Sequence, residues 1–163
     1  MCNYLIIIIK ADRMLSRNSL IHGLRRDQLI EVLSISEFPV VLVENPFIQP
    51  KSTGKKPVIF NIDEFHVSIA PISSLKYDWE WAPIDTILIE VVIPPAEADL
   101  VSAENDFLRD AGIGHIQCEP GGVSIRRTVT FVGGITADNL LYQLRLMCVS
   151  ALHLIGEELE DES

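Results

Sequence analysis

The apolar positions along this chain change period several times, and each change marks an element. From Ser16 to about Ser36, Leu20, Ile21, Leu24, Leu29, Val32 and Leu33 recur near helical spacing, which predicts one amphipathic helix weakened at Gly23. Phe38-Pro39 should stop it, because proline restricts the residue before it. "VVLVE" (40–44) then reads as a strand and "NPFIQPKSTGKKP" (45–57) as a loop. In "VIFNIDEFHVSIAPI" (58–72), Val58, Phe60 and Ile62 share one parity, while Phe65, Val67 and Ile69 share the other. That switch predicts a bulge or tight turn near Asp63-Glu64.

After the connection "SSLKYDWEWAP" (73–83), "IDTILIEVVI" (84–93) is a strand with Ile87, Ile89, Val91 and Ile93 on one face. "PPAEADLVSAENDFLRDAG" (94–112) follows as a helix, with Pro95 suited to its first position and Gly112 to the position past its end. Its apolar stripe is Leu100, Ala103, Phe107, Leu108 and Ala111. "IGHIQCE" (113–119) and "VSIRRTVTFV" (123–132) pair as a hairpin about "PGG" (120–122), with Val123, Ile125, Val129 and Phe131 sharing a face. A long helix closes the chain. In it Leu140, Leu144, Cys148, Ala151 and Ile155 face the sheet, and Asn139, Gln143, Ser150, His153 and Glu157 run opposite, interrupted by Leu146. The order helix, strands, helix, hairpin, helix predicts an α+β domain with helices packed on an antiparallel sheet.

The strand-to-helix junction "FVGGITADN" raises the question of a phosphate loop. No Lys follows Gly133-Gly134, and Asp138 puts negative charge where an anion would bind. Thr136 is instead a good N-cap, with Ile135 and Leu140 at the two positions of a hydrophobic staple. The glycines are expected to let the chain turn.

These same residues carry a resemblance. "AENDFLRDAG", a short strand, a glycine turn, a strand ending in "VGGIT" and the final helix "NLLYQLRLMCVSALHLIGEEL" resemble the YbjN-like family, described as bacterial sensory transduction regulators. That family's fold is similar to the class I type III secretion chaperones. The resemblance spans residues from about 16 to 160. It implies a small acidic homodimer that binds protein segments, chaperone-like or regulatory, with no catalytic residues to carry over.

Composition narrows the classes of function. The chain has 163 residues, 48% of them hydrophobic and 22% charged, enough for one ordered core. It reads as a single domain, 1–163, with a strand extension at 1–13 before a core at 14–160; Met14 offers a second start. The extension's apolar run, Tyr4 to Ile9, suits a strand and is too short to cross a bilayer. It lacks the basic region and cleavage site of a signal peptide, so a cytoplasmic protein is expected. A net charge of −10 argues against a nucleic-acid partner. The charge is uneven: Lys10, Arg13, Arg17, Arg25 and Arg26 lie early, and Glu157, Glu158, Glu160, Asp161 and Glu162 lie late. Attraction between chain ends or subunits fits this, and a small nucleic-acid or lipid patch is the alternative. No membrane partner is expected.

Candidate chemistry is sparse. Cys2, Cys118 and Cys148 have no metal-ligand spacing, and His115 and Cys118, three apart on a strand, face opposite sides. No Gly-x-Ser-x-Gly elbow occurs. No cofactor, metal or catalytic residue is expected, and the protein is expected not to be an enzyme. Two features point to partners. Tyr77, Trp79 and Trp81 alternate, so an extended backbone would put all three on one face as a docking site, with Asp78 and Glu80 on the other. A small-molecule-binding or hydrolytic site at 77–81 is the alternative, because carboxylates beside aromatics suit carbohydrate chemistry. Tyr142, Leu146 and Val149 form a second apolar patch on the last helix, which reads either as a dimer contact or as a wide buried face.

Overall fold

The computed structural model describes residues 15–37, 40–43, 57–62, 65–72, 79–96 and 98–161. Expectations for the strand extension at 1–13, most of the 45–57 loop, Phe38-Pro39, the bulge or turn at Asp63-Glu64, Tyr77 and Asp78 fall outside them.

The described chain is α+β. Its strands are β1 (Leu20–Ile21), β2 (Val40–Leu42), β3 (Val58–Ile62), β4 (Phe65–Pro71), β5 (Thr86–Ile93), β6 (His115–Glu119), β7 (Gly122–Thr130) and β8 (Ile135–Thr136). Its helices are α1 (Arg26–Ser34), α2 (Ala98–Asp110) and α3 (Ala137–Asp161). Six strands form one sheet in the order β2-β3-β4-β5-β7-β6, every neighbouring pair antiparallel. β1 and β8 pair as a separate two-stranded ribbon.

On either side of the parity switch, β3 and β4 pair antiparallel. Ile62 pairs with Phe65, Phe60 with Val67 and Val58 with Ile69, so the two alternating sets meet on one buried face. Register carries this face onward from Val67 to Val91 to Ile125. Arg127 shares the parity of Ile125 and donates to Gln143 of α3 and to the Gly112 carbonyl, so it ties the sheet to the helical layer. The core lies between that face and the helices, where Leu29, Val32, Leu108, Leu140, Leu144, Met147, Ala151 and Leu154 are buried. α2 and α3 come together where His153 Nδ1 lies 3.8 Å from Glu104 Oε1.

Four expectations change, one of them the apolar stripe of α2: its buried residues are Val101 and Leu108, while Ala103, Phe107 and Ala111 are exposed. The helix predicted over 16–36 is only Arg26–Ser34. Leu20 and Ile21 pair with Thr136 and Ile135, and Leu24 exchanges two backbone hydrogen bonds with Ile84, at 2.8 and 3.0 Å. Distant strand partners outcompete local helix propensity here, and Gly23 lowers the cost of breaking it. α2 starts at Ala98, so Pro95 lies ahead of the helix instead of at its first position. Gly112, at φ +65°, ends it as expected. Ser150, placed on the polar side of α3 by its spacing, is buried: Leu141, Met147 and Leu154 widen the buried face beyond the expected stripe.

The junction before α3 is built from its own side chains. Gly133 and Gly134 both sit at φ +86°, in left-handed conformations. A Cβ on Gly134 would lie 2.8 Å from the His22 ring. The Asn139 N–H donates to Thr136 Oγ1 at 3.1 Å, which is the expected N-cap. The Asp138 N–H donates to the Arg17 carbonyl at 3.0 Å, and this satisfies a second first-turn donor.

Candidate protein-binding surface

Residues 79–82 form a turn instead of an extended strand, and this separates the two tryptophans. Trp79 is fully buried, at 0% exposure, while Trp81 stands 84% exposed. The shared aromatic face expected from alternation is therefore corrected: alternation aligns side chains only on an extended backbone. The Trp79 carbonyl also accepts from the Arg26 N–H at 3.0 Å, which pins the turn to the start of α1. Trp81 remains as an exposed aromatic, and Glu80 beside it is exposed.

The outer side of α3 holds the second patch. Tyr142 is 58% exposed, Val149 38% and Leu152 48%, and Leu146 is partly buried against the core. Leu152 was not singled out from the sequence. The signal was there, since 142, 145, 149 and 152 advance by three, four and three and so stay on one helical face. Beside this face Arg17, Glu37, Asp138, Leu141, Tyr142 and Arg145 line an open hollow of about 480 Å³. Arg17 spans it, with Nη2 2.9 Å from Glu37 Oε1 and Nη1 4.0 Å from Asp138 Oδ1. Sequence alone could not bring Arg17 and Glu37 to α3.

The sheet surface opposite the core parity carries a polar network. Arg126 Nε donates to Glu90 Oε1 at 2.7 Å, Nη2 donates to Glu119 at 2.7 Å, and Nη1 donates to Gln117. These partners lie on β5 and β6, so one guanidinium ties three strands. The Glu90 hydrogen bond, opposed by desolvation and aided by the charges of Glu90 and Glu119, raises the Arg126 pKa. Burial lowers that of Arg127 on the helical side. The outer edge of β6 is pegged at one point, where the Ile116 N–H donates to Asn105 Oδ1 of α2 at 2.7 Å. Such a contact blunts an edge against unwanted pairing.

His115 and Cys118 both lie on β6 in regular register with β7. Among the described residues, no group of three or more His, Cys, Asp or Glu side chains is placed to hold a metal ion. No described helix is long and apolar enough to cross a membrane. No family model, curated protein or solved structure matches the chain.

Proposed function

We propose that the protein is a non-enzymatic protein-binding module, chaperone-like or regulatory, that acts as a homodimer in the bacterial cytoplasm. The observation that carries this reading is the exposed stripe of Tyr142, Val149 and Leu152 on the outer face of α3. Clustered apolar side chains on a helix anchored by a buried opposite face mark a surface for another protein. Trp81, a large aromatic held out by a turn whose preceding tryptophan is locked in the core, supplies a separate anchor for a client. The free thiols, Cys118 exposed and Cys148 buried, fit a reducing compartment. The resemblance to the YbjN-like family and its secretion chaperone-like fold supports the same reading.

Multi-angle light scattering at micromolar concentration tests it. The expected mass is twice the 18.2 kDa of the chain. A single species of one chain mass across that range would remove the homodimer.

A further inference from the structure

We infer that the hollow beside α3 is completed by a second copy of the chain, with the Arg145 guanidinium of each subunit seated against Asp138 of the other and the paired helices crossing at Tyr142. This rests on the homodimer reading and adds to it the seating of the two helices.

Asp138, Tyr142, Arg145, Val149 and Leu152 are all exposed, and they follow one another at intervals of four, three, four and three. That is the spacing of a helical seam built to meet another helix. Two charged residues interrupt an otherwise apolar seam. Arg145 is the sole Lys or Arg of α3, and its side chain makes no hydrogen bond or ion pair with the described residues. Covering it without an acidic partner would bury an unpaired guanidinium, which is costly. Whatever covers the seam must therefore bring a carboxylate to Arg145.

A second copy satisfies this in one arrangement. A parallel pair about a twofold axis along the helices sets Arg145 against its own copy. An antiparallel pair centred near residue 147 matches Tyr142 with Leu152 but leaves Arg145 beside Val149. An antiparallel pair centred on Tyr142 places residue 145 opposite residue 138, because the two lie about equally far on either side of the axis. Both Arg145–Asp138 contacts then form at once, as an isologous interface requires, and Val149 and Leu152 reach past the start of the partner's α3 toward its residues 132–135. The hollow fits this centre. Its lining holds two arginines and two carboxylates around Tyr142, a charge-balanced patch that complements itself. Arg17, already between Glu37 and Asp138, steadies the carboxylate that would receive the guanidinium.

Charge exchange tests the seating on the full chain. Arg145→Glu alone and Asp138→Arg alone each bring like charges together twice per dimer, and each should raise the dissociation constant about a hundredfold. Mixing the two variants should restore dimers of one of each, since each contact then joins opposite charges. Asp138 also favours the helix N-terminus, so circular dichroism on each variant checks folding. A second route avoids that position. In a background with Cys2 and Cys118 replaced by Ser, Tyr142→Cys should oxidise to a disulfide dimer, and Val149→Cys should not, because a disulfide needs close Cα atoms at the crossing. A wild-type dimer that ignores both charge substitutions and fails to cross-link at 142 would overturn the seating alone, and would give the hollow to a different acidic partner. A monomeric wild type would overturn the homodimer as well.

Discussion

Trp79 and Trp81 show how two residues of one kind, two positions apart, take opposite roles. Removing the Trp79 ring opens a void in the core, and Trp79→Ala should cost about 3–5 kcal/mol of unfolding free energy, as large-to-small core changes do. Trp81→Ala should leave chemical denaturation unchanged within about 0.5 kcal/mol, as a surface change does. These are the only tryptophans in the chain, so fluorescence separates them. Acrylamide should quench the Trp81 component, and Trp81→Phe should leave a blue-shifted, poorly quenched signal from Trp79. Equal quenching of both would contradict the turn at 79–82. At the α3 junction, Thr136→Ala removes the acceptor for the Asn139 N–H and should cost about 1 kcal/mol in thermal or urea unfolding.

At the scale of elements, the sheet is held on its two surfaces by different physics. Its core surface is a run of buried β-branched and aromatic side chains matched across strands by register. On the other surface, the Arg126 network links β5, β7 and β6 through charge-assisted hydrogen bonds. Arg126→Ala leaves Glu90 without its charged donor, and should destabilise the fold by about 1–3 kcal/mol in urea titration. The sign with pH follows from the raised pKa of Arg126 in the fold. Its contribution is fully present below the guanidinium's ordinary value, and is lost only as pH climbs through the raised one. Mild alkali should therefore leave this network intact. A loss of stability between pH 7 and 10 that disappears in Arg126→Ala would contradict that.

For the molecule as a whole, the proposed homodimer would link association to stability. If only folded chains associate, the melting temperature should rise with protein concentration, and the rise should be smaller in Arg145→Glu. Calorimetry across a hundredfold range of concentration reads both, and a melting temperature independent of concentration would speak for a folded monomer. The net charge of −10 works against association at long range, so in the proposed homodimer added salt should relieve that repulsion while weakening the Arg145–Asp138 pairing.

Local rules were enough wherever a segment's own side chains decide its state. Alternation over 58–62, 65–71 and 86–93 set the strands and their buried parity, because an extended backbone has a fixed period of two. The cap at Thr136, the turn glycines and the stop at Gly112 were legible for the same reason: each acts within a few residues. The tertiary structure decided what depends on distant partners. Leu20, Ile21 and Leu24 have helical spacing, but strand partners at 135–136 and 84 claim their backbone groups. Trp79 is drawn into the core and Trp81 is not, because a turn replaces the strand that alternation assumed. The exposed stripe on α3 was half visible, in Tyr142 and Val149. Its charges took on meaning only when the fold brought Arg17 and Glu37, more than a hundred residues away in sequence, to the side of Asp138. Periodicity records which face of an element is apolar, and only packing determines what that face meets.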